Sequence, residues 1–221
     1  NFIDSLHSFE ICKYNCLSIA QFLSKTQKFK KEINEMREIT KRNCMNSLHI
    51  AVKKRNTQIV KLLLSIDINV DAKAQIEFTS QKRINIFTEA TALHMAIEQE
   101  NEEIVELLLN HSTIDVNCQY QKTFFYVYKT EKYLKTALHM AVEINNSKIV
   151  SLLIKKENIK INEVLTYTIT KSDNYLQNQY KTALFMAVQN CNQEIVQMLT
   201  SRIDIDSNIP FISKEEAQSK Y

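Results

Sequence analysis

The sequence predicts a mainly α protein, an α-solenoid of helix-turn-helix repeats that carry extended β-hairpin fingers. One motif, TALHMAIEQENEEIVELLL at residues 91–109, returns in related form at residues 46–64, 136–154 and 182–200. Its spacing is nearly fixed, with intervals of 45, 45 and 46 residues between the equivalent leucines, Leu48, Leu93, Leu138 and Leu184. Apolar residues alternate with polar ones between the copies. A fixed period in this range indicates a repeat architecture.

Each copy of the motif carries the pattern of two short amphipathic helices. In the second copy, Leu93 and Ala96 predict the buried side of a first helix, and Ile104, Leu107 and Leu108 predict that of a second helix. A residue whose side-chain oxygen can cap a helix N-terminus precedes every predicted helix. These residues are Asn46, Thr91, Thr136 and Thr182 before the first helices, and Asn56, Asn101, Asn146 and Asn192 before the second helices.

The motif resembles the ankyrin repeat. The stretch T-A-L-H-M-A at residues 91–96 is similar to the family signature T-P-L-H-x-A, and I-V-E-L-L-L at residues 104–109 is similar to the family's second helix. A third stretch resembles the D-V-N entry to the family's hairpin, at residues 69–71, 115–117, 160–162 and 204–206. The resemblance covers residues 46–206. It implies stacked helix pairs that bind partner proteins through finger tips and the concave face of the first helices.

The chain departs from the family in its length and its turns. An ankyrin repeat takes about 33 residues, so each interval here carries about a dozen extra. The motif proline is replaced by serine or alanine, and the chain contains no glycine. The family's glycine position between the helices is held by Arg55, Glu100, Asn145 and Cys191. If these residues keep a positive φ, most of them bear a strain that glycine would avoid.

The extra residues between the copies predict lengthened β-hairpins, here called fingers. In residues 73–89, Ile76 and Phe78 alternate with polar residues before a polar tip, and Ile84 and Ile86 do so after it. Period two around a polar break predicts a hairpin. Residues 163–181 repeat the pattern, and residues 119–135 are rich in β-formers with a less clear turn. We expect fingers that stand side by side and pair edge to edge into one sheet.

The two ends of the chain are less regular. Residues 1–24 predict two short helices around residues 13–15, as in a degenerate first repeat. Residues 25–42 are charged, and their apolar spacing favours one amphipathic helix, with a two-stranded insert as the competing interpretation. Beyond residue 206, either more repeats follow in the parent protein or the tail covers the last repeat. Because the chain begins at Asn1 without a methionine, we expect it to be a fragment of a longer protein.

These patterns divide the chain into three parts. Residues 1–42 are predicted as a degenerate N-terminal repeat and a charged connector, residues 43–206 as the repeat domain, and residues 207–221 as a polar C-terminal tail. The predicted repeats span residues 43–87, 88–132, 133–178 and 179–206.

Composition argues against catalysis, cofactors and a membrane span. The net charge of +3 is mild and does not by itself imply nucleic acid or an anionic membrane. Phosphate-binding loops need glycine, which is missing, and no apolar run approaches the roughly 20 residues that span a bilayer. The sequence therefore predicts no enzyme and no cofactor. Five scattered cysteines, an odd number, indicate reduced thiols in an intracellular, cytoplasmic compartment.

The histidines and cysteines are interpreted as structural. His49, His94 and His139 each follow the motif leucine, where the family resemblance implies a ring that ties the loop to the helix start. Cys12 and Cys16 lie four residues apart, but a zinc site normally has four ligands at recognisable spacings. We therefore predict no metal site.

Residues 122–135 of the second finger interleave aromatic residues with lysines. These residues could stack on single-stranded nucleic acid, pack between adjacent fingers while the lysines protect a strand edge, or bind a protein. The charge pattern favours a protein over nucleic acid, because residues 53–61 are basic whereas residues 98–106 are acidic. A nucleic-acid stripe should not reverse sign, whereas a protein partner can complement alternating patches.

The sequence therefore predicts a monomeric, non-catalytic scaffold for protein–protein interaction. The alternatives are a nucleic-acid-binding module that uses the aromatic and lysine finger, and a regulatory segment of a larger enzyme or channel. Carried over from the family resemblance, the expected partner-binding residues are Lys53, Lys54, Lys82, Arg83, Glu98, Gln99, Phe125, Tyr128, Glu143, Ile144 and Gln189.

Overall fold

A computed structural model of the chain describes residues 8–40, 43–81, 84–172, 175–208 and 212–217. It divides into two compact units. Unit 1 comprises Asn1–Ile76 and Ala90–Asp115, and unit 2 comprises Glu77–Glu89 and Val116–Tyr221. The three-part organisation expected from the sequence stays a prediction.

Helix pairs and strand pairs alternate along the described residues. The helices are α1 (Ser8–Lys13), α2 (Leu17–Leu23), α3 (Gln27–Glu32), α4 (Ser47–Lys53), α5 (Thr57–Leu64), α6 (Ala92–Glu98), α7 (Glu102–Leu109), α8 (Ala137–Glu143), α9 (Ser147–Ile154), α10 (Ala183–Gln189) and α11 (Gln193–Thr200). The strands are β1 (Arg37–Thr40), β2 (Asn43–Met45), β3 (Ala74–Thr79), β4 (Asn85–Ala90), β5 (Tyr120–Phe125), β6 (Lys129–Lys135), β7 (Val164–Lys171), β8 (Tyr175–Thr182) and β9 (Ile212–Ala217). The four predicted helix pairs and the three predicted fingers are present. The prediction of a mainly α fold is confirmed only in part, because the strands form a large second component.

The first helix of each repeat begins where the sequence predicts it. At α4, Asn46 Oδ1 accepts a hydrogen bond from the His49 N–H at 3.1 Å, and His49 Nδ1 accepts one from the Asn46 N–H at 3.2 Å. Thr91 and His94 form the same reciprocal cap at α6. The histidine rings therefore tie the preceding chain to the helix start. At α10 the equivalent residue is Phe185, whose ring has no nitrogen to return the bond.

The second helix of each repeat is capped by the predicted asparagine. In every case the asparagine side-chain oxygen accepts from the N–H of an isoleucine three residues on, at 3.0 to 3.1 Å. The capped helices are α5, α7, α9 and α11.

The residue before each of these asparagines has a positive φ, as expected for the family's glycine position. The angles are 55° at Arg55, 53° at Glu100, 62° at Asn145 and 53° at Cys191, and Asn15 has 60° between α1 and α2. A residue with a Cβ is strained in this region by about 1 to 2 kcal/mol, and asparagine less so. The turn is therefore kept without glycine, at a cost in stability.

Replacing Glu100 by glycine is expected to raise the free energy of unfolding by about 0.5 to 1 kcal/mol. Glycine removes the left-handed strain, and the greater freedom of the unfolded chain offsets part of the gain. Urea denaturation followed by circular dichroism measures the change. The matched control is Asn145→Gly, which should change stability by less, because asparagine tolerates a φ of 62°. Equal effects in the two variants would contradict this account.

The N-terminal region is a helix pair followed by a short helix and a hairpin. α1 and α2 flank residues 14–16, as predicted, and residues 1–7 of the predicted segment lie outside the described residues. The prediction of a single helix over residues 25–42 is wrong. α3 ends at Glu32, and β1 and β2 pair in an antiparallel hairpin with Arg37 opposite Met45. The two-stranded alternative is therefore confirmed only in part, because β1 lies within residues 25–42 and β2 follows them.

The buried side of α7 differs by one position from the prediction. Ile104 and Leu108 are fully buried, and Leu109 is buried as well, whereas Leu107 is half-buried. The side chain at 107 therefore lies at the margin of the packed surface, and Leu108 at its centre.

Side-chain amides link successive repeats after the second helices. In unit 2, Asn117 accepts from the Lys160 N–H at 2.8 Å, and Asn162 accepts from the Asp206 N–H at 2.8 Å. Asp206 thus occupies the position of Lys160 in the next repeat. The D-V-N equivalent in the last repeat is residues 206–208, and its prediction at residues 204–206 was wrong by two positions.

Strands pair in antiparallel fashion within each unit. In unit 1, β1 pairs with β2, and β2 pairs with the first residues of β3, where Cys44 lies opposite Gln75. In unit 2, the order is β4-β5-β6-β7-β8-β9, so each finger pairs along its edge with the next. The prediction of fingers that pair edge to edge is confirmed in unit 2. β9 pairs with β8 and so covers the outer edge of the last finger, whereas Val188 of the last helix pair is exposed. The two alternatives expected for the tail therefore stay open.

Candidate binding surface

One face of the finger sheet in unit 2 lies beside the C-terminal ends of α8 and α10. Strand alternation places Tyr133 and Lys135 of β6 on this face, together with Tyr167 of β7 and Gln179 and Lys181 of β8. The register brings them into rows, because Tyr133 lies opposite Tyr167, Tyr167 opposite Gln179, and Leu165 opposite Lys181. We call this surface the helix-side face.

Aromatic side chains on the helix-side face pack against one another. The rings of Tyr133 and Tyr167 stack with their centroids 4.4 Å apart and an interplanar angle of 22°. Phe124 meets Tyr133 edge to face at 5.9 Å and stacks on Tyr126 at 6.3 Å. Such contacts contribute beyond the burial of area alone and hold the rings in fixed positions. Three of the five aromatic residues between residues 122 and 135 therefore pack within the sheet.

Lysines lie over these rings. The distances from Nζ to the ring centroid are 5.6 Å for Lys122 on Phe124, 4.8 Å for Lys129 on Tyr126 and 5.4 Å for Lys135 on Tyr133. A cation within about 6 Å of a ring face is attracted to its negative quadrupole. The face thus presents positive charge above an aromatic floor.

A buried carboxylate, Glu131, lies within this cluster. Its Oε1 accepts from Lys129 Nζ at 2.5 Å, and its Oε2 accepts from the Tyr126 hydroxyl at 3.4 Å. Burial raises the pKa of Tyr133 and of Tyr167, and the negative charge of Glu131 adds to both effects. Both phenols therefore stay protonated at neutral pH and serve as neutral hydrogen-bonding groups.

A cleft of about 340 Å³ opens between the helix-side face and the ends of α8 and α10. Apolar contacts come from Leu165 and Met186, and polar groups surround them. Lys135 Nζ pairs with Glu143, and Lys181 Nζ donates to Gln189 Oε1 at 3.3 Å. The remaining lining residues are Tyr133, Tyr167, Gln179 and Asn190. The lining contains two lysines and one carboxylate, so its net charge is positive.

The structure brings together only some of the residues predicted for partner binding. Glu143 and Gln189 both line the cleft, with Ile144 half-buried next to Glu143. Phe125 and Tyr128 are exposed at the tip of the β5–β6 finger. Phe125 lies opposite Thr130, which is three residues, or about 10 Å along the strand, from Tyr133 of the cleft, and Tyr128 lies in the turn beyond it. The predicted residues of unit 2 therefore form two separate groups.

The other predicted residues lie in unit 1 or outside the described residues. Lys53 and Lys54 are exposed at the end of α4, and Glu98 is exposed with Gln99 half-buried at the end of α6. Lys82 and Arg83 fall outside the described residues.

Eight of the ten residues that line the cleft were absent from the predicted partner-binding residues, including Lys135 and Lys181. A sequence signal for these two lysines existed, because a lysine directly precedes the capping threonine at Lys135 and again at Lys181. In each case a polar residue follows eight positions later, at Glu143 and Gln189. In the structure, Lys135 pairs with Glu143 and Lys181 donates to Gln189, each across the turn from a strand to a helix. These contacts bring the four side chains together in the cleft.

The buried histidines belong to the framework and not to this site. Burial lowers the pKa of His49 and of His139 to about 4, so both rings are neutral at pH 7. His49 Nε2 is 2.9 Å from the carbonyl oxygen of Ala72, which holds the ring in place. Burial also raises the pKa of the Cys12 thiol to about 12, so that this thiol is unreactive at neutral pH.

The described part of the chain lacks two features of other protein classes. No group of three or more histidine, cysteine, aspartate or glutamate side chains there is arranged to hold a metal ion. None of its helices has the length and apolar character to cross a membrane.

Capped helix pairs joined by hairpins and repeated at a fixed interval define a helix-pair repeat protein. A family model described as ankyrin repeats, three copies, matches residues 72–164 and 122–209, and a model of a single ankyrin repeat matches residues 43–74. The chain belongs to the ankyrin repeat family. Ankyrin repeats are in general modules of protein–protein interaction, and they are typically not enzymes.

Solved structures include similar folds. The ankyrin repeat domain of Bcl-3, described as a unique member of the IkappaB protein family, aligns with a TM-score of 0.58 and 19% identity, covering 89% of this chain and 71% of that one. The ankyrin repeat protein EF0377 aligns with a TM-score of 0.41 and 17% identity, covering 87% and 96%. No curated protein sequence matches.

Proposed function

We propose that this protein is a non-catalytic module that binds a protein partner in the cleft of unit 2, with the helix-side face as its floor. The observation that carries the proposal is the convergence of Tyr133, Tyr167, Lys135 and Lys181 with Glu143 and Gln189 around one opening. The same proposal places the protein inside the cell, where its five thiols would stay reduced.

The chemistry of the cleft suits a peptide segment of a partner. Leu165, Met186 and the two tyrosine rings offer apolar contact, and amide groups of Gln179 and Asn190 can both donate and accept hydrogen bonds. Fixed aromatic residues supply contact area with little loss of conformational entropy, which is why they dominate binding energy at interfaces.

The charge of the cleft lining indicates which kind of partner side chain would bind there. Lys135 pairs with Glu143, and Lys181 donates to the side-chain oxygen of Gln189. Two lysines and one carboxylate give the lining a net positive charge, which favours an acidic side chain of the partner in the cleft. The exposed tip residues Phe125 and Tyr128 would form a second, separate contact.

Reversing the charge of Lys181 tests this proposal. Tagged wild-type protein and Lys181→Glu are used in parallel to isolate partners from a cell extract, and the affinity of each recovered partner is then measured by calorimetry. We expect Lys181→Glu to weaken binding by at least about tenfold. The matched control is Lys155→Glu, which makes the same change at an exposed position of unit 2 away from the cleft. Unchanged affinity in Lys181→Glu, or an equal loss in the control, would place recognition elsewhere.

A further inference from the structure

The helix-side face concentrates the positive charge of the finger sheet in unit 2. Strand alternation and the register assign each residue of β5 to β8 to one of the two faces of the sheet. The opposite face of these strands carries one lysine, Lys132, whereas the helix-side face carries five. The five are Lys122, Lys129, Lys135, Lys171 and Lys181. Glu131 is the single acidic residue of these four strands, and it also lies on the helix-side face.

The lysines of β6, β7 and β8 lie at the two ends of this face. The register groups the residues of the three strands into rows across the sheet. The row nearest the finger tips contains Lys129 and Lys171, and the row nearest the helices contains Lys135 and Lys181. The two rows between them contain no lysine. Their members are Glu131, Ile169 and Gln177 in one row, and Tyr133, Tyr167 and Gln179 in the other.

Lys171 and Lys181 mark the two ends of a path along β7 and β8. Lys171 is exposed at the tip, and its Nζ lies 4.3 Å from the ring centroid of Tyr175. Tyr175 and Lys181 are six residues apart on β8, which corresponds to about 20 Å at roughly 3.3 Å per residue. An extended peptide of about seven residues has this length.

The floor between these two lysines is uncharged. Ile169 of β7 is half-buried, and Tyr167 is held in place by its stack on Tyr133 at 4.4 Å. Gln177 and Gln179 lie opposite Ile169 and Tyr167 on β8, and their amides can both donate and accept hydrogen bonds. A segment bound along this path would therefore meet apolar and neutral polar groups at its centre.

The acidic residues of the sheet lie in the middle of this face and not at its ends. Glu131 falls in the row of Ile169 and Gln177, and the register brings Glu215 of β9 into the same row. Glu131 is buried, and its Oε1 accepts from Lys129 Nζ at 2.5 Å. An acidic ligand is therefore attracted at the two ends of the path and not at its centre.

We propose that the helix-side face binds an extended acidic peptide of about seven residues, with one carboxylate at Lys171, one at Lys181 and an uncharged centre over Ile169 and Tyr167. This inference rests on the proposed function, because it names the segment that the cleft receives and extends its contact to the finger tip. Lys171 does not line the cleft. The two proposals can therefore be tested separately.

The arrangement favours a peptide over single-stranded nucleic acid. Bases stack on open ring faces. Here Lys129 lies over the ring of Tyr126, and Tyr133 and Tyr167 stack on each other. A nucleic-acid chain also carries a phosphate at every nucleotide, so that some phosphates would lie beside Glu131 in the middle row. A peptide can instead place its carboxylates at the two ends alone.

Fluorescence anisotropy of labelled synthetic peptides, titrated with the full chain, tests this proposal. The probe has about seven residues and capped ends, with an aspartate at each end and alternating serine and valine between them. A reference peptide has the same composition, but its two aspartates are adjacent at the centre. We expect the probe to bind with a Kd of about 100 µM or below, and the reference peptide to bind at least about fivefold more weakly.

Charge reversals at the two ends of the path should each weaken binding of the probe. We expect Lys171→Glu and Lys181→Glu each to raise its Kd by at least about tenfold. The matched control is Lys132→Glu, which makes the same change on the opposite face of the same sheet. This variant should leave the Kd within about twofold. Circular dichroism checks that all three variants fold.

Four outcomes would overturn the inference. A loss in Lys181→Glu alone would show that the ligand ends in the cleft, and it would leave the proposed function standing. Equal binding of the probe and the reference peptide would show that the spacing of the carboxylates is not recognised. Tighter binding of an oligothymidylate of about eight nucleotides would assign the face to single-stranded nucleic acid. Absence of probe binding would exclude this ligand, whereas the proposed function is tested independently with partners isolated from the extract.

Discussion

Replacing Leu108 by alanine is expected to lower the free energy of unfolding by about 2 to 5 kcal/mol. Leu108 is fully buried in α7, which packs in unit 1 against α5 and α6. The substitution removes the apolar contacts of the side chain and leaves a cavity that the surrounding helices fill only in part. In a repeat protein, neighbouring repeats share stability through their interfaces, so the loss should extend to α4 and α5.

Urea denaturation followed by circular dichroism measures the effect of Leu108→Ala, and Leu107→Ala is the control. The two variants remove the same atoms from adjacent positions of one helix, but Leu107 is only half-buried. Leu107→Ala should therefore be clearly less destabilising. Equal losses in the two variants would show that the packed side of α7 is not the one described.

Lowering the pH from 7 to 5 is expected to destabilise the protein through His49 and His139. Burial lowers the pKa of each ring from 6.5 in the unfolded chain to about 4 in the folded protein. Because the unfolded chain then binds protons more readily than the folded one, each histidine contributes stability above pH 6.5 that is lost as the pH falls towards 4. The loss amounts to about 2 kcal/mol for each ring at pH 5 and about 3 kcal/mol below pH 4.

The chain itself suggests the control for this pH effect. Phe185 takes the histidine position in α10, so His139→Phe introduces a side chain that the same repeat type already accommodates. Urea denaturation at pH 7, 6 and 5 should show a smaller pH dependence in His139→Phe than in the unmodified protein, by about 2 kcal/mol over this range. Identical pH dependence in the two proteins would exclude a buried neutral His139.

The helix framework was readable from the sequence because its signals are local. A capping residue, the histidine three positions later and the asparagine before the second helix lie within a few residues of the groups they bind, as Asn46 and His49 illustrate. The positive φ values at Arg55 and Glu100 also follow from position in the repeat alone. Strand alternation around a polar break similarly predicted the fingers.

The predictions failed where the local structure depends on residues that are distant in the sequence. The apolar spacing of residues 25–42 fits a helix, but β1 and β2 gain hydrogen bonds by pairing with each other and with β3. Tyr167 and Lys181 enter the cleft only because β7 and β8 pair with the finger before them. Leu107 and Leu108 both fit the helical period, and three-dimensional packing decides between them.

The edge-to-edge pairing of the fingers has a mechanical consequence for unit 2. In a stack that consists of helix pairs alone, successive repeats are held together only by side-chain contacts, so the stack bends easily. Here main-chain hydrogen bonds run from β4 to β9 across the same repeats and add a second connection beside the helices. Because the repeats of unit 2 are connected both through their helices and through their strands, they resist bending and shear. The walls of the cleft are therefore held in fixed relative positions.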